Sequence, residues 1–338
     1  MTLDGTTLGR LVAGDVLTRP EANDVLAGIL RGEVDPVVIA SFLTAMAQRG
    51  ETVEEMAGFV DAMMAASEPA EPLPYAMDIV GTGGDRLHSV NISTMAALTV
   101  AACGVAVAKH GNRAASSSVG TADVLEGLGV KLDLDGAGVA ACVREAGMGF
   151  FFAQRFHPGL RHLGPIRRTL GFPTAFNVLG PLANPGQVAT LMIGVANETM
   201  MDKMAAVLVA RNVPRATLVH SADGLDELSL GTSATLLNVV NGDVTVTTLD
   251  AGDVLGVRHS VESIRGGSLE RNVSVVRDFV DGQSGPVFDV VTANAALALL
   301  TAGVVSQLTD GFEMARHAVS SGGAAKVLAS LVDVSNRF

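Results

Sequence analysis

The feature that most constrains this chain is a regular exchange, between residues 77 and 221, of short apolar runs with helix-like stretches. Apolar runs stand at 77–80 (MDIV), 105–109 (VAVAK), 150–153 (FFFA), 189–196 (ATLMIGVA) and 216–221 (ATLVHS), and helical patterns at 93–103, 121–128, 137–146 and 199–211 separate them. Strands joined by helices can only run side by side in one direction, so the alternation predicts a mainly parallel sheet with helices packed on it. The interval 157–186, rich in Arg, His and Pro, breaks the rhythm and reads as an excursion from the sheet domain.

The first seventy residues follow a different pattern. Thr18 with Glu21 and Thr52 with Glu55 are spaced as capping boxes, and Asp35-Pro36 opens a third helix that Gly50 closes. Three prolines within 67–75 then block helix and strand alike. The length, 338 residues, is about twice a usual domain, so two units are expected. One is a helical domain of residues 1–70, with 157–186 packing back onto it; the other is an α/β domain of 75–156 and 187–338. Within the second, TLLNVVNGDVTVTTL predicts a hairpin around Asn241-Gly242, and residues from 267 onward read as mainly helical.

A content of 48% hydrophobic and 17% charged residues is that of a folded globular chain. Cys103 and Cys142 lie in apolar stretches and read as small buried hydrophobes. With no basic-plus-apolar leader at the N-terminus, they suggest a reducing, cytoplasmic setting. The net charge of −12 disfavours nucleic acid and requires any phosphate to be held by local cations, amides or metal.

Such groups gather after the strand-like runs. Gly81-Thr82-Gly83-Gly84-Asp85 follows MDIV, and Asn91-Ile92-Ser93-Thr94 opens the next helix. Glycines let the backbone turn tightly, and amides at a helix start attract phosphate. The spacing matches neither GxGxxG nor a Walker motif, and alone it equally describes a tight strand-to-helix connection. A second loop, Lys109-His110-Gly111-Asn112-Arg113 through Ser116, Ser117 and Thr121, adds cations and hydroxyls in the same position. Two such loops describe a ligand crevice at the carboxyl edge of a parallel sheet. In a third, Asp223-Gly-Leu-Asp226-Glu227, adjacent carboxylates suit Mg²⁺, an acidic surface turn being the alternative. In the excursion, a helix from Pro158 would put Arg161 and Arg168 on one face and Arg167 elsewhere, free to bind an anion.

Taken in order, DIVGTGGD, NIST, KHGNRAASS, TADVLEGLGV, FNVLGPLANP and DGLDE resemble the anthranilate phosphoribosyltransferase family over essentially the whole chain. KHGN with GTGGD marks the wider superfamily that includes pyrimidine nucleoside phosphorylases. The resemblance implies a small all-helical domain beside a larger α/β domain, an active site in the cleft between them, and a homodimer paired through the helical domains. The implied reaction joins anthranilate to 5-phospho-α-D-ribose 1-diphosphate, with magnesium, as two ions, for cofactor. By motif position, Gly81, Gly84, Asp85, Ser89, Asn91, Ile92, Ser93, Thr94, Lys109, His110, Gly111, Asn112, Arg113, Ser116, Ser117 and Thr121 would surround the donor. Gly81, Asn112, Arg167 and His157 would meet anthranilate, and Ser93, Asp226 and Glu227 would serve the metal. No catalytic base is assigned; His110 is the candidate, with Lys109 and Asn112 positioning the transition state. Arg86, Ser89-Val90, Val119 and Thr121 depart from the family pattern, and Arg86 adds a cation beside the expected diphosphate. The rival readings are a pyrimidine nucleoside phosphorylase or another phosphoribosyltransferase of this fold and, from another class, a nucleic-acid-binding relative, which the acidic charge opposes.

Overall fold

In a computed structural model, which describes residues 2–113 and 119–338, the chain opens on four helices. These are α1 (Gly5–Val12), α2 (Arg19–Leu30), α3 (Pro36–Arg49) and α4 (Val53–Ala65). Both capping boxes form, at Thr18/Glu21 and Thr52/Glu55. Glu55 also reaches beyond its own helix. Fully buried, its carboxylate accepts the Leu17 N–H at 2.8 Å and the Arg49 guanidinium at 2.6 Å, which fixes the α1–α2 connection against α3 and α4.

The seven-stranded sheet comprises β1 (Met77–Gly81), β2 (Val107–Gly111), β3 (Met148–Phe152), β4 (Thr190–Gly194), β5 (Arg215–Ser221), β6 (Ala234–Val240) and β7 (Asp243–Leu249). Its order is β3-β2-β1-β4-β5-β6-β7; the first five run parallel and the last two antiparallel. At the β6–β7 turn Asn241 and Gly242 both take positive φ, 51° and 93°, the geometry of a type I′ turn. The crossovers are α5 (Ile92–Ala102), α6 (Thr121–Gly127) with α7 (Gly136–Ala146), and α11 (Met201–Ala210). Between β3 and β4 lie the short helices α8 (Ala153–Phe156), α9 (Gly164–Leu170) and α10 (Phe176–Leu179). After β7 come α12 (Ala251–Leu255), α13 (Leu269–Val280), α14 (Pro286–Ala302), α15 (Leu308–Ser320) and α16 (Gly323–Ser335). Apolar on nearly every side, α14 is buried against α5, β4 and β5 and forms the middle of the core.

Several expectations need correction. The third strand spans 148–152, not 150–153, because Ala153 already opens α8. The second strand spans 107–111, not 105–109, because the Val105 N–H closes the preceding helix on Val100 O while the polar Lys109 and His110 continue the strand. The excursion is not one helix from Pro158. A 3₁₀ turn, Pro158–His162, ends before Gly164, and Pro165 starts α9 afresh, so Arg161 and Arg168 sit exposed on separate elements. The turn lies so close to α2 that a Cβ on Gly159 would come within 2.8 Å of Leu30 O. Helix α9 lies on α3, and α10 reaches α4 through a stacked Phe59–Phe176 pair, centroids 6.4 Å apart.

Candidate active site

From β1 the chain winds outward through β2 to β3, then returns to β1's other side for β4 and β5. The strand order therefore reverses between β1 and β4, where a parallel sheet leaves a crevice at its carboxyl edge. Gly81 and Gly194 are register partners at that edge. Both are glycines for a local reason: the loop after β5 crosses directly over them. A Cβ on Gly194 would fall 1.5 Å from Asp226 O, and one on Gly81 would fall 2.7 Å from Asp226 Oδ2. The loop is pegged from within by Ser221, whose Oγ donates to Glu227 O at 2.7 Å. From α14, Asn294 accepts the Leu228 N–H and donates to Leu228 O, each at 2.9 Å.

This arrangement gathers three carboxylates. Asp226 Oδ2 accepts the Gly83 N–H at 2.8 Å, and Glu227 Oε1 accepts the Ser93 N–H at 3.2 Å. Asp85 faces Asp226; its Oδ1 accepts the Leu87 N–H at 3.2 Å, while its buried Oδ2 has no hydrogen-bond partner among the described residues. Burial, followed by repulsion from Asp85, pushes Asp226 up to about 6. Burial and then the two aspartates hold Glu227 well above the usual carboxylate range, and burial raises Asp85. Lys109 lies beneath them, 1% exposed, its Nζ donating to Ile79 O and, at 3.2 Å, to Ser93 Oγ. Burial lowers its pKa while Asp78, Glu227 and Asp226 oppose that shift. The ammonium, expected as a point charge on the second loop, is thus turned inward onto Ile79 and Ser93.

Around this cluster the expected donor residues divide. Gly84, at φ +88°, Ser89 and Asn91 line the first loop, and Ser93 begins α5 beside Thr94, whose Oγ1 lies 3.4 Å from that of Thr121. Ile92 does not face the crevice: its side chain is fully buried and its N–H bonds to Val90 O at 2.7 Å. On the second loop, Gly111 has no room for a Cβ beside the Phe150 ring, and exposed Asn112 accepts from Gln154 Nε2 at 3.2 Å. Arg113 turns away to pair with Asp123 at 2.8 Å and Glu126 at 2.9 Å, over the Phe152 ring. Ser116 and Ser117 lie outside the described residues.

His110 is buried, with Nδ1 3.2 Å from Gly180 O and no partner for Nε2 among the described residues. Burial, then neighbouring His157, pulls its pKa down to about 3, so the ring is neutral and a poor base at physiological pH. His157 is buried too, with Nε2 on Ala183 O at 2.9 Å and its ring edge-on to His110; it presents no open face to a substrate. Arg167 is half-buried over Phe176, with one NH₂ donating to Asn177 Oδ1 at 3.0 Å and no carboxylate beside it among the described residues.

Sequence reasoning missed the pair that ties the excursion to the sheet. Asp78, on β1, accepts the His110 N–H at 3.1 Å and Asn184 Nδ2 at 2.8 Å, while that same Nδ2 donates to Ala108 O at 2.8 Å. Asn184 and the missed Asn177 both stand in the FNVLGPLANP segment, so a polar residue amid apolar neighbours was their available signal.

A glycine-floored crevice at a sheet switch point, beside a helical module, defines a class of two-module α/β enzymes that take an anionic ligand at strand ends. Residues 73–325 match the family described as glycosyl transferase, a/b domain, and residues 6–67 match its helical bundle domain. An anthranilate phosphoribosyltransferase of Thermomicrobium roseum is 49% identical over 98% of this chain and 97% of its own length. The crystal structure of that enzyme from Thermus thermophilus superposes with a TM-score of 0.91 at 39% identity, covering 97% of this chain and 99% of the other. A Saccharomyces cerevisiae structure, in complex with PRPP and Mg, gives 0.90 at 25% identity, covering 99% of each. The chain belongs to the anthranilate phosphoribosyltransferase family of glycosyl transferases.

Proposed function

We propose that the chain transfers the 5-phosphoribosyl group of 5-phospho-α-D-ribose 1-diphosphate to the amine of anthranilate, releasing diphosphate, in tryptophan biosynthesis. The observation that carries this reading is the carboxylate cluster Asp85, Asp226 and Glu227, cradled by Gly81 and Gly194 next to the start of α5. Asp226 and Glu227, raised by burial and by their acidic neighbours, beside a half-buried Asp85 with one oxygen left without a hydrogen bond, suit a hard divalent cation. Asp226, Glu227 and Ser93, with Asp85 beside them, would hold magnesium, as two ions. Bound magnesium supplies positive charge against the departing diphosphate.

The chain's own residues do the remaining work. The Gly83–Gly84 turn and the mouth of α5 border the donor, where the Ser93 and Thr94 hydroxyls face its oxygens, and Lys109 holds Ser93 in place beneath them. Arg167, with Asn177 steadying one end of its guanidinium, offers the rest of the fork to anthranilate's carboxylate, as an ammonium could not. Asn112 and Gly81 border the place where the two substrates approach. The aromatic amine already carries its lone pair, so a strong base is not required, consistent with a neutral His110.

The helical module is taken as residues 1–70 with 157–186, and the chain as a cytoplasmic homodimer. Among the described residues no helix is long and apolar enough to cross a membrane. A groove of about 830 Å³ on α1, α3 and α9, lined by Leu11, Val12, Val37, Ala40, Thr44 and Ile166, is the face a second copy would cover. The test of the activity is direct. Anthranilate, donor and Mg²⁺ are mixed with the protein and anthranilate fluorescence is followed; steady loss supports the reading, and no loss with folded protein and intact donor overturns it.

A further inference from the structure

Residues 264–272 lie on the outer side of the first glycine loop. Ser89 and Arg265 form an isolated antiparallel bridge, flanked by the Val90 N–H on Ile264 O at 3.0 Å and the Gly266 N–H on His88 O at 2.8 Å. The approach is tight: a Cβ on Gly266 would meet Ser89 O at 2.9 Å and Asn272 Oδ1 at 3.0 Å. Asn272, at the start of α13 and only 3% exposed, completes the clasp. Its Oδ1 accepts the Gly267 N–H at 2.8 Å, and its Nδ2 donates to Asn91 Oδ1 at 3.1 Å.

The direction of these bonds has a chemical consequence. A backbone N–H can only donate, so Gly267 fixes which end of the Asn272 amide is oxygen. The other end, an NH₂, can only donate, so the atom of Asn91 facing it must be its oxygen. The Asn91 NH₂ is thereby left for the crevice side, at the mouth of α5, although its own side chain makes no capping bond there. We infer that Asn272 is a positioning residue for the transfer reaction, setting the amide of Asn91 so that it presents a donor, not an acceptor, to the oxygens of the phosphorylated substrate. The inference rests on the proposed function, specifically on Asn91 touching the donor.

The experiment is a kinetic double-mutant cycle. In Asn272→Asp the introduced carboxylate still accepts from Gly267 but can no longer donate, so Asn91 must turn its NH₂ toward it and offer oxygen to the substrate. The expected result is a rise of about tenfold in KM for the phosphoribosyl donor, with KM for anthranilate within about twofold of the unaltered enzyme. In an Asn91→Ala background the same change should add nothing, because the residue through which it acts is gone. If Asn272→Asp raises both KM values equally, or its effect persists in full without Asn91, the residue is merely structural and the inference fails. If Asn91→Ala alone leaves donor KM unchanged, the placement of Asn91 at the donor is wrong and the inference falls with it, whereas transferase activity itself would still uphold the broader function. Should the aspartate variant not fold, Asn272→Ala serves instead. It removes the donor to Asn91 without adding charge, and the same selective rise in donor KM, smaller in size, is expected; an unchanged donor KM overturns the inference.

Discussion

Arg86 holds its backbone at φ +62°, in the left-handed region where a side chain costs about 1–2 kcal/mol, and His88 follows at +55°. Strain of this kind survives where surrounding structure enforces it, and here the Ser89–Arg265 bridge anchors the loop just beyond. Arg86 is exposed, so its cation adds little packing, and the proposed function gives it the donor's diphosphate to meet. Arg86→Gly should therefore leave stability unchanged or raise it by up to about 1 kcal/mol, while donor KM rises severalfold. Thermal melts and initial-rate kinetics check both halves, and unaltered donor KM would remove the cation from the site. Gly194 is the opposite case, a position where no side chain fits. Gly194→Ala must push Asp226 off the strand ends, at about 1–3 kcal/mol for overpacking. The same variant should need more Mg²⁺ for half-maximal rate, measured by titrating the metal in the fluorescence assay.

At the scale of elements, what is local was legible and what is enforced from afar was not. The capping boxes at Thr18 and Thr52 and the Asn241-Gly242 turn are decided within four residues, and each forms. Pro165, which lacks an N–H and suits a first turn, also signals the break at 158–170, whereas the seven-residue spacing of Arg161 and Arg168 points to one helix. Strand β2 runs two residues past its apolar pattern because His110 is a polar residue buried in the strand, ahead of Gly111. Asp78 shows the cost of such burial. Desolvation raises its carboxyl from about 3.8 unfolded to about 6 folded, against the opposing pull of Lys109. With the folded value the higher, its contribution to stability is present below the unfolded value and is lost as pH rises through about 6, a swing of about 3 kcal/mol. Melting temperature should therefore fall less between about pH 5 and about pH 7.5 in Asp78→Asn than in the unaltered chain. Equal slopes would mean that Asp78 titrates normally.

For the whole molecule, the residues that set the site are far apart in sequence. Asp226 meets Gly83 across 143 positions, Asn184 meets Asp78 across 106, and Asn272 meets Asn91 across 181. No window of sequence contains such pairs, and only the motif order hinted that the segments converge. The formal net charge of −12 acquires a location in the same way: Asp226 and Glu227 lie at the switch point, where burial disfavours their charge and the proposed function sets a cation beside it. The apolar groove of the helical module lies on α1, α3 and α9, and because α9 also carries Arg167, the subunit contact proposed for this groove and the anthranilate end of the site share one helix. Val12 and Val37 are each 73% exposed within it, an arrangement that costs solvation unless a partner covers them. Small residues Ala40, Ser41 and Thr44 along α3 let a second helix approach closely. If the proposed homodimer forms through this groove, Val37→Arg should convert it to a monomer in sedimentation at micromolar concentration. The rate per chain should remain within about twofold, because Val37 is exposed on α3 while the glycine cradle and Arg167 lie on other elements. A variant that sediments as the unaltered protein does would place the subunit contact elsewhere, and one that dissociates and also loses activity would mean that the second copy helps to build the crevice.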